Sequence, residues 1–302
     1  MTRRKIVDAH HHLWELSGGY KYPWLQDKPA GEGMLGNLAP IVRDYGAAEY
    51  CADTARYDVV KSVHIEAVPA DAIAEVAWLQ EMSEGSGLPH AIVGRVELQK
   101  PDAEKLMAEH RGYRNVRGIR QIVNWHRNPR FTFTDHDFLA DDAWLAGFKL
   151  LRRYDLSFDL QIYPGQMAAA ARLAAHNPET LIVLNHTGMP VDRDEAGVAA
   201  WRDGMKRLAA EDNVVAKISG LGMVDHGWTE ASIRPFVLGT IDYFGVDRAM
   251  FGSNFPVDKL YSSFDALYGA FENIVAPFAE DEKNKLFHDN ALRTYRLRAS
   301  SE

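Results

Sequence analysis

The 302-residue chain is predicted to fold as an α/β protein of the (β/α)8 TIM-barrel class. Eight short apolar runs alternate with helical stretches, as parallel strands joined by helices do. No Gly-rich phosphate loop follows an early run, which favours the barrel over the alternative, a doubly wound open sheet. Because no low-complexity segment or long linker divides the sequence, residues 1–302 are predicted to form a single domain.

The elements follow in order along the chain. The predicted strands are RKIVDAHHHL, VVKSVHIEAV, HAIVGRVEL, VRGIRQIV, LSFDLQIY, LIVLNHTG, VVAKISGL and RAMFGSNFP. The predicted helices are DAIAEVAWLQEMSE, DAEKLMAEHR, DDAWLAGFKLLRRY, GQMAAAARLAAH, VAAWRDGMKRLAAE and TEASIRPFVLGTIDYF. Asp71, Asp102 and Thr229 stand where helix N-caps are expected. The stretch DEKNKLFHDNALRTYRL is predicted to be a closing helix.

A long loop, residues 15–49, follows the first strand and is rich in Gly, Pro and aromatic residues. Two interpretations stay open for it: a lid or specificity loop over a site, or a packed surface excursion. Trp24, in this loop, is a candidate for an apolar wall against a ring-shaped substrate.

Bulk composition limits the partners. The formal net charge of −8 argues against nucleic-acid binding, because phosphate backbones attract Lys/Arg-rich faces. No apolar run is long enough to span a bilayer, so no membrane partner is predicted. The single cysteine, Cys51, cannot form an internal disulfide, which favours a cytoplasmic location. A homo-oligomer stays possible.

Polar residues gather at the C-terminal ends of the predicted strands, where barrels of this class hold their active sites. They are His10, His12, His64, Glu66, Arg120, Gln161, Tyr163, His186, Lys217, Ser219 and Asn254. Because buried polar groups need partners, such a set at one mouth predicts a functional site. Among them, His64, Gln161 and Tyr163 are candidates for substrate contacts.

The histidines of the first strand suggest a metal site. Strand alternation predicts that His10 and His12 share a face, with Asp8 below them and His11 on the opposite face. With His186 they would offer three imidazoles and an open position for water, the arrangement of a catalytic zinc ion. The cofactor predicted is one divalent ion, Zn²⁺ before others; a hydrogen-bonded cluster without metal is the other interpretation.

Arg120 and Glu66 each have two interpretations. Arg120 could bind a substrate carboxylate in a bidentate way, or form a salt bridge to an acid at the barrel mouth. Glu66, which is predicted to share a face with His64, could hold the substrate or orient a ligand histidine. Since buried glutamate is uncommon without a partner, Glu66 is either functional or paired with an arginine.

The motifs DAHHHLW, VRGIRQ, NHTGMP, KISGL and MFGSNFPV, in this order, resemble the amidohydrolase superfamily, and most closely its amidohydrolase 2 branch of sugar-acid and dicarboxylate lactonases. The resemblance implies a distorted barrel that hydrolyses a small ester, amide or lactone. It places His10, His12 and His186 at metal-ligand positions. Arg120 and Gln161 stand near positions that carry further ligands in binuclear members, which implies one ion or none.

Asn254 departs from the family pattern, because GSN replaces the usual GSD, whose aspartate is the general base. An amide cannot take up a proton at neutral pH. Three routes stay open: a metal-bound hydroxide, His186 or Glu66 as the base, or Asp258 acting through a solvent chain. Asp258 could equally cap the next helix or be solvated.

The leading functional prediction is a hydrolase that opens a small sugar-acid or dicarboxylate lactone, or a related carboxylic ester. His186, Asn254, Arg120 and Glu66 are its predicted catalytic residues, and the small lactone or ester is the predicted partner. The first alternative is a metal-dependent decarboxylase of the same superfamily. The second is a non-catalytic binding barrel, which Asn254 motivates.

Overall fold

Parallel strands form the centre of the molecule, each paired with its neighbours in the sequence from β1 to β8. The structure, a computed structural model, describes residues 3–27 and 33–298. Within those ranges the strands are β1 (Lys5–His11), β2 (Asp58–Ile65), β3 (Ala91–Arg95), β4 (Val116–Ile122), β5 (Ser157–Gln161), β6 (Ile182–Leu184), β7 (Val214–Ile218) and β8 (Ala249–Phe251). Each overlaps a predicted run, and the sequential order excludes a doubly wound sheet. The TIM-barrel prediction is confirmed.

α-Helices connect the strands and cover the ring. They are α1 (Pro23–Gln26), α2 (Ala47–Thr54), α3 (Ala72–Ser86), α4 (Ala103–Arg111), α5 (Asp142–Phe148), α6 (Met167–His176), α7 (Glu195–Ala209), α8 (Leu221–Val224), α9 (Glu230–Phe244), α10 (Phe264–Ile274), α11 (Glu280–Asn284) and α12 (Asn290–Thr294). Asp71 and Thr229 accept backbone N–H groups at the starts of α3 and α9, which confirms both N-caps. Asp102 occupies the N-cap of α4 without such a bond.

Two apolar layers hold the barrel together, because each strand is covered on both faces. Val7, Val63 and Val183 belong to the smaller layer, inside the ring. The larger layer lies between strands and helices and includes Trp144 and Trp201. In the part of the chain that the structure describes, no helix is long and apolar enough to cross a membrane.

The C-terminal segment closes the bottom of the barrel. A π-helical turn, Lys285–Asp289, joins α11 to α12 without a break, so the predicted closing helix is confirmed and contains this turn. The segment brings Tyr295 into the interior layer, where its hydroxyl donates to Asp159 at 2.9 Å.

β1 and β8 are joined just past their C-terminal ends. The N–H of Asn254 donates to the carbonyl of His10, and the N–H of His12 donates to that of Phe255, each at 2.7 Å. A register shift between Asp8 and His11 precedes this seam and breaks the alternation of side chains. Asp8 therefore faces the outer helices and accepts the hydroxyl of Tyr50, instead of lying below the site histidines as predicted.

The long loop after β1 returns to the barrel before α2. Trp14 and Tyr45 form a backbone pair at its base, with N···O distances of 3.0 and 2.9 Å. Between them, Met34, Leu35 and Leu38 line the cavity at the barrel mouth. The loop thus lies over the site, as the first of its two interpretations expected.

Candidate active site

A cavity of about 640 Å³ opens at the C-terminal ends of the strands, within the usual size range of small-molecule sites. It is lined by many of the residues that were predicted from separate parts of the chain. These are Trp24, His12, Glu66, Arg120, Gln161, His186 and Asn254. The parallel strands explain this convergence, because their carboxyl ends meet at one edge of the barrel.

Three imidazoles meet at the base of this cavity. The ring centroid of His10 lies 4.4 Å from that of His186 and 5.0 Å from that of His12. Burial lowers the pKa of all three, the positive charge of Arg120 lowers each pKa further, and Lys217 also lowers those of His10 and His186. These effects favour the neutral form of the three rings. Their predicted convergence is confirmed.

Uncommon backbone conformations place the side chains around the site. His186, Thr187, Asn254 and Val68 have φ values between 54° and 57°. Such left-handed conformations cost about 1–3 kcal/mol each and persist where surrounding contacts enforce them, often at active sites. The backbone of Gly220 lies so close to His186 that any side chain at position 220 would overlap the imidazole.

Ser219, just past β7, orients His186. The hydroxyl oxygen of Ser219 lies 3.0 Å from Nδ1 of His186. When Nδ1 carries the ring proton and donates it to this oxygen, Nε2 holds a free lone pair. Since His186 lines the cavity, this tautomer gives the imidazole the form that a general base needs.

Arg120 and Glu66 form a buried ion pair, with side chains 3% and 1% exposed. Nε of Arg120 donates to Oε1 of Glu66 at 2.7 Å, and its terminal nitrogens donate to the carbonyl of Glu66 and to Oε1 of Gln161. The N–H of Val68 occupies the other carboxylate oxygen of Glu66 at 2.7 Å. Both oxygens are therefore engaged, which disfavours Glu66 as a base. Of the five N–H hydrogens of the guanidinium, two stay available to a ligand.

Asn254 joins the histidines to a buried carboxyl group. Its Oδ1 lies 3.2 Å from Nε2 of His12, and its Nδ2 donates to Oδ1 of Asp258 at 3.2 Å. Asp258 is 1% exposed, so the expectation of a solvated side chain is wrong. Burial raises the pKa of Asp258 to about 7. Asp258 thus contacts Asn254 directly, and its action on the attacking water through a solvent chain stays a prediction.

Two predicted substrate contacts do not line the cavity. His64 precedes the last residue of β2 and faces α3, where its Nε2 lies 3.8 Å from Oε1 of Glu75. Glu66 lies beyond the strand end, so the alternation that placed both on one face does not apply. The hydroxyl of Tyr163 donates to the carbonyl of Phe131 at 2.6 Å and packs behind the wall. Since neither side chain lines the cavity, the substrate-contact predictions for His64 and Tyr163 stay predictions without support from this geometry.

The imidazoles of His10, His12 and His186 are suitable metal ligands by their chemistry, but their arrangement does not fit an ion. Among residues 3–27 and 33–298, no group of three or more His, Cys, Asp or Glu side chains could hold an ion as placed. Nδ1 of His10 lies 3.4 Å from the ammonium of Lys217, which favours a ring proton on Nε2, the nitrogen that would have to bind the metal. That Nε2 is buried without a partner. Metal binding by His10, His12 and His186 stays a prediction.

A buried network beneath His10 was missed. Lys217 and Asp159 form an ion pair with both side chains fully buried, and Asp159 also accepts from Tyr295 and Asn185. Asp159 is the one carboxylate in the predicted strand LSFDLQIY, and that position was a usable signal. Lys217 was noted in its strand, but nothing local in the sequence indicated its partner.

Comparison with known proteins completes the description. Residues 7–297 match the family described as Amidohydrolase. Over 98% of its length the chain is 45% identical to all of a Sinorhizobium fredii protein named "Uncharacterized protein y4mH". It is 28% identical to an L-fucono-1,5-lactonase of Burkholderia ambifaria, over 96% of this chain and 95% of that one. A crystal structure of a Burkholderia multivorans amidohydrolase with bound zinc is 26% identical, with a TM-score of 0.81 over 98% of this chain and 100% of that one.

Proposed function

This chain belongs to the amidohydrolase family, and from that premise we propose that it opens a small lactone by water attack at the mouth of the barrel. The similarity to L-fucono-1,5-lactonases over nearly the whole chain supports this reaction. One observation carries the proposal: neutral His186 and the unused donors of Arg120 line the same cavity.

The first step forms the tetrahedral intermediate. Nε2 of His186 takes a proton from a water molecule, whose oxygen bonds to the lactone carbonyl carbon. His12 and Asn254, both lining the cavity, hold and orient this water. The remaining N–H groups of Arg120 stabilise the negative charge that develops on the carbonyl oxygen. Since Glu66 already balances the charge of Arg120, the guanidinium is better suited to this oxygen than to a free carboxylate.

The second step breaks the ring. The bond between the carbonyl carbon and the ring oxygen cleaves, and the protonated His186 returns its proton to the departing oxygen. The product is the open hydroxy acid, and the enzyme regains its starting protonation. A zinc ion bound near the three histidines would add Lewis-acid polarisation of the carbonyl. The zinc-bound relative supports testing for one.

The test is a pH-indicator assay of lactone hydrolysis with the His186→Asn variant. Asparagine tolerates the left-handed backbone and can keep a hydrogen bond to Ser219, but it cannot act as a base. We expect kcat/KM to fall about 10²–10⁴-fold. His176→Asn, at an exposed position on α6, is the matched control and should keep full activity.

The same assay is run on chelator-treated enzyme and on enzyme with added zinc. Hydrolysis should survive chelation, because the proposed steps use only side chains of the chain itself. Full activity of His186→Asn, or release of carbon dioxide instead of a hydroxy acid, would contradict the proposal. Loss of activity on chelation with recovery on adding zinc would replace the metal-free mechanism.

A further inference from the structure

The side-chain amide of Asn254 lies between two buried groups, and its backbone is fixed on both sides. Its N–H donates to the carbonyl of His10 at 2.7 Å, and its carbonyl accepts the N–H of Asp258 at 3.0 Å. The amide lies between Nε2 of His12 and Oδ1 of Asp258, 3.2 Å from each. A half-turn of the amide exchanges its oxygen and its nitrogen between these two neighbours, which gives two arrangements of donors and acceptors.

The hydrogen bonds of His12 favour one of these arrangements. Nδ1 of His12 lies 2.7 Å from the carbonyl of Ile65, which can only accept, so Nδ1 carries the ring proton. In a neutral ring Nε2 is then an acceptor, and it needs a donor opposite it. The nitrogen of the Asn254 amide is such a donor, whereas its oxygen is a second acceptor. With the nitrogen toward His12, the amide oxygen is directed to Asp258.

Asp258 completes this arrangement when its carboxyl is protonated. The residue is 1% exposed, and its Oδ2 has no hydrogen-bond partner among the residues that the structure describes. An ionised carboxylate would face the amide oxygen as a second acceptor, whereas a protonated one donates its O–H. The alternative, an ionised Asp258 with a cationic His12, would bury two separated charges, and the positive charge of Arg120 disfavours the second of them.

The groups around Asp258 leave the proton on its carboxyl. The short turn that begins at Asp258 packs against α8 and against the turn Ala39–Ile41, neither of which contains a titratable side chain. Tyr261 faces the carboxyl, and burial raises the pKa of this phenol, so it stays neutral. The ammonium of Lys259 donates to both carboxylate oxygens of Asp53 at 2.7 Å. Burial therefore raises the pKa of Asp258 to about 7.

We propose that Asp258 is a positioning residue, whose protonated carboxyl donates to Oδ1 of Asn254 and turns the amide nitrogen toward His12 and the cavity. One hydrogen of that nitrogen bonds to Nε2 of His12, and the second is left for a ligand, because Asn254 lines the cavity. The role in catalysis rests on the proposed hydrolysis: this second N–H donates to the oxygen of the attacking water, whose hydrogen points to His186. Where the family pattern has a general base, this chain has a hydrogen-bond donor.

Loss of the proton reverses the arrangement. An ionised Asp258 accepts the amide nitrogen of Asn254 and turns the amide oxygen toward His12, so the donor for the water is lost. After correction for spontaneous hydrolysis, kcat/KM for lactone opening should fall as the pH rises through about 7. We expect a plateau about 10-fold lower, the scale of one hydrogen bond.

Three variants test this pH dependence. Asp258→Leu removes the donor, so kcat/KM should be about 10-fold lower at every pH. Asp258→Asn keeps a neutral side chain with an N–H donor, so it should rescue the activity that Asp258→Leu loses and remove the alkaline fall. Glu75→Gln is the matched control and should keep that fall. Glu75 is another acid at 1% exposure whose pKa is raised by burial, but it accepts the N–H of Ala67.

Infrared difference spectroscopy detects the proton without any turnover. The spectrum of wild type minus that of Asp258→Asn isolates this carboxyl from the other acids. We expect the carbonyl band of a protonated carboxyl about two pH units below its pKa, and a carboxylate band about two units above it. A carboxylate band at both pH values would overturn the inference.

Asn254→Asp distinguishes a donor from a weakened base. The substitution restores the carboxylate of the family pattern but removes the amide N–H, and it places a second carboxyl beside Asp258, with which it would share a proton. We expect kcat/KM to fall about 10²-fold, because the water loses its fixed position. A gain in hydrolysis would overturn the inference.

The outcomes separate this inference from the proposed function. If no lactone is opened but the infrared bands show a protonated Asp258, the hydrolysis proposal fails and the placement of the proton stands. If lactones are opened but Asp258→Asn keeps the alkaline fall, or Asp258→Leu keeps full activity, the inference is overturned while the hydrolysis stands.

Discussion

Two buried ion pairs of the same barrel have different surroundings. Lys217 and Asp159, on β7 and β5, are completely buried inside the ring. Arg120, on β4, and Glu66, just past β2, are nearly as buried but lie at the cavity. Both pairs face the interior of the barrel, so burial alone does not separate structure from function.

The difference lies in how completely each pair is enclosed. Asp159 also accepts the hydroxyl of Tyr295 and the amide of Asn185, and burial lowers the pKa of Lys217 to about 8. This pair is closed off from any ligand. Arg120 keeps N–H groups that no protein acceptor takes. A buried charge is therefore available for catalysis where its hydrogen bonds are left incomplete beside a cavity.

The largest expected effect comes from breaking the enclosed pair. Lys217→Met should destabilise the protein by about 3–5 kcal/mol, because it leaves the carboxylate of Asp159 buried without its cation. Urea unfolding measures this free energy. The double variant Lys217→Met with Asp159→Asn removes both charges and should recover part of the loss. A double variant as unstable as the single one would show that the charge is not the cause.

Breaking the mouth pair should affect activity before stability. Arg120→Lys keeps a positive charge for Glu66 but loses the planar set of donors that reaches Glu66, Gln161 and a ligand together. We expect kcat/KM for lactone opening to fall about 10²–10³-fold, the usual cost of losing an oxyanion donor. Thermal melting should shift less than for Lys217→Met. An active but strongly destabilised Arg120→Lys enzyme would reverse the comparison.

Asp258 is a third buried acid, and unlike Asp159 and Glu66 it has no cationic partner among the described residues. Its pKa is raised from 3.8 to about 7 by burial, so the folded state keeps a proton that the unfolded state loses between these values. Wild-type stability should therefore fall relative to Asp258→Asn as the pH rises from about 4 to 7, by on the order of 4 kcal/mol at most. Unfolding of both proteins at several pH values tests this. A difference that does not change with pH would show that the carboxyl is ionised throughout.

Much of the fold and part of the site could be predicted from the sequence. Alternating runs placed the strands because buried parallel strands are apolar on both faces. Strand ends then indicated His12, Arg120 and His186 as residues of one mouth. Each of these predictions depends only on local pattern and on the geometry shared by all such barrels.

Other features depend on contacts between distant parts of the chain. The register shift in β1 turns Asp8 outward, and no residue type in this strand indicates such a shift. Strand parity failed for Glu66 because the strand ends one residue before it. Two interpretations were open for Arg120: binding a substrate carboxylate, or a salt bridge to an acid at the barrel mouth. Only the distances in the structure identify Glu66 as that acid. Met34 and Leu38 belong to a loop without periodicity, so their place in the cavity wall had no sequence signal.

The seam between β1 and β8 has a consequence for redesign of the chain. The last hydrogen bonds that complete the ring join the backbones of the residues that carry the site, His10, His12 and Asn254. Circular permutants with new termini at exposed positions of the opposite end, such as residues 85–87, would leave this junction intact. Insertions within the seam itself would weaken the closure of the barrel and displace the site residues at the same time. Engineered insertions in this scaffold therefore belong in its outer loops.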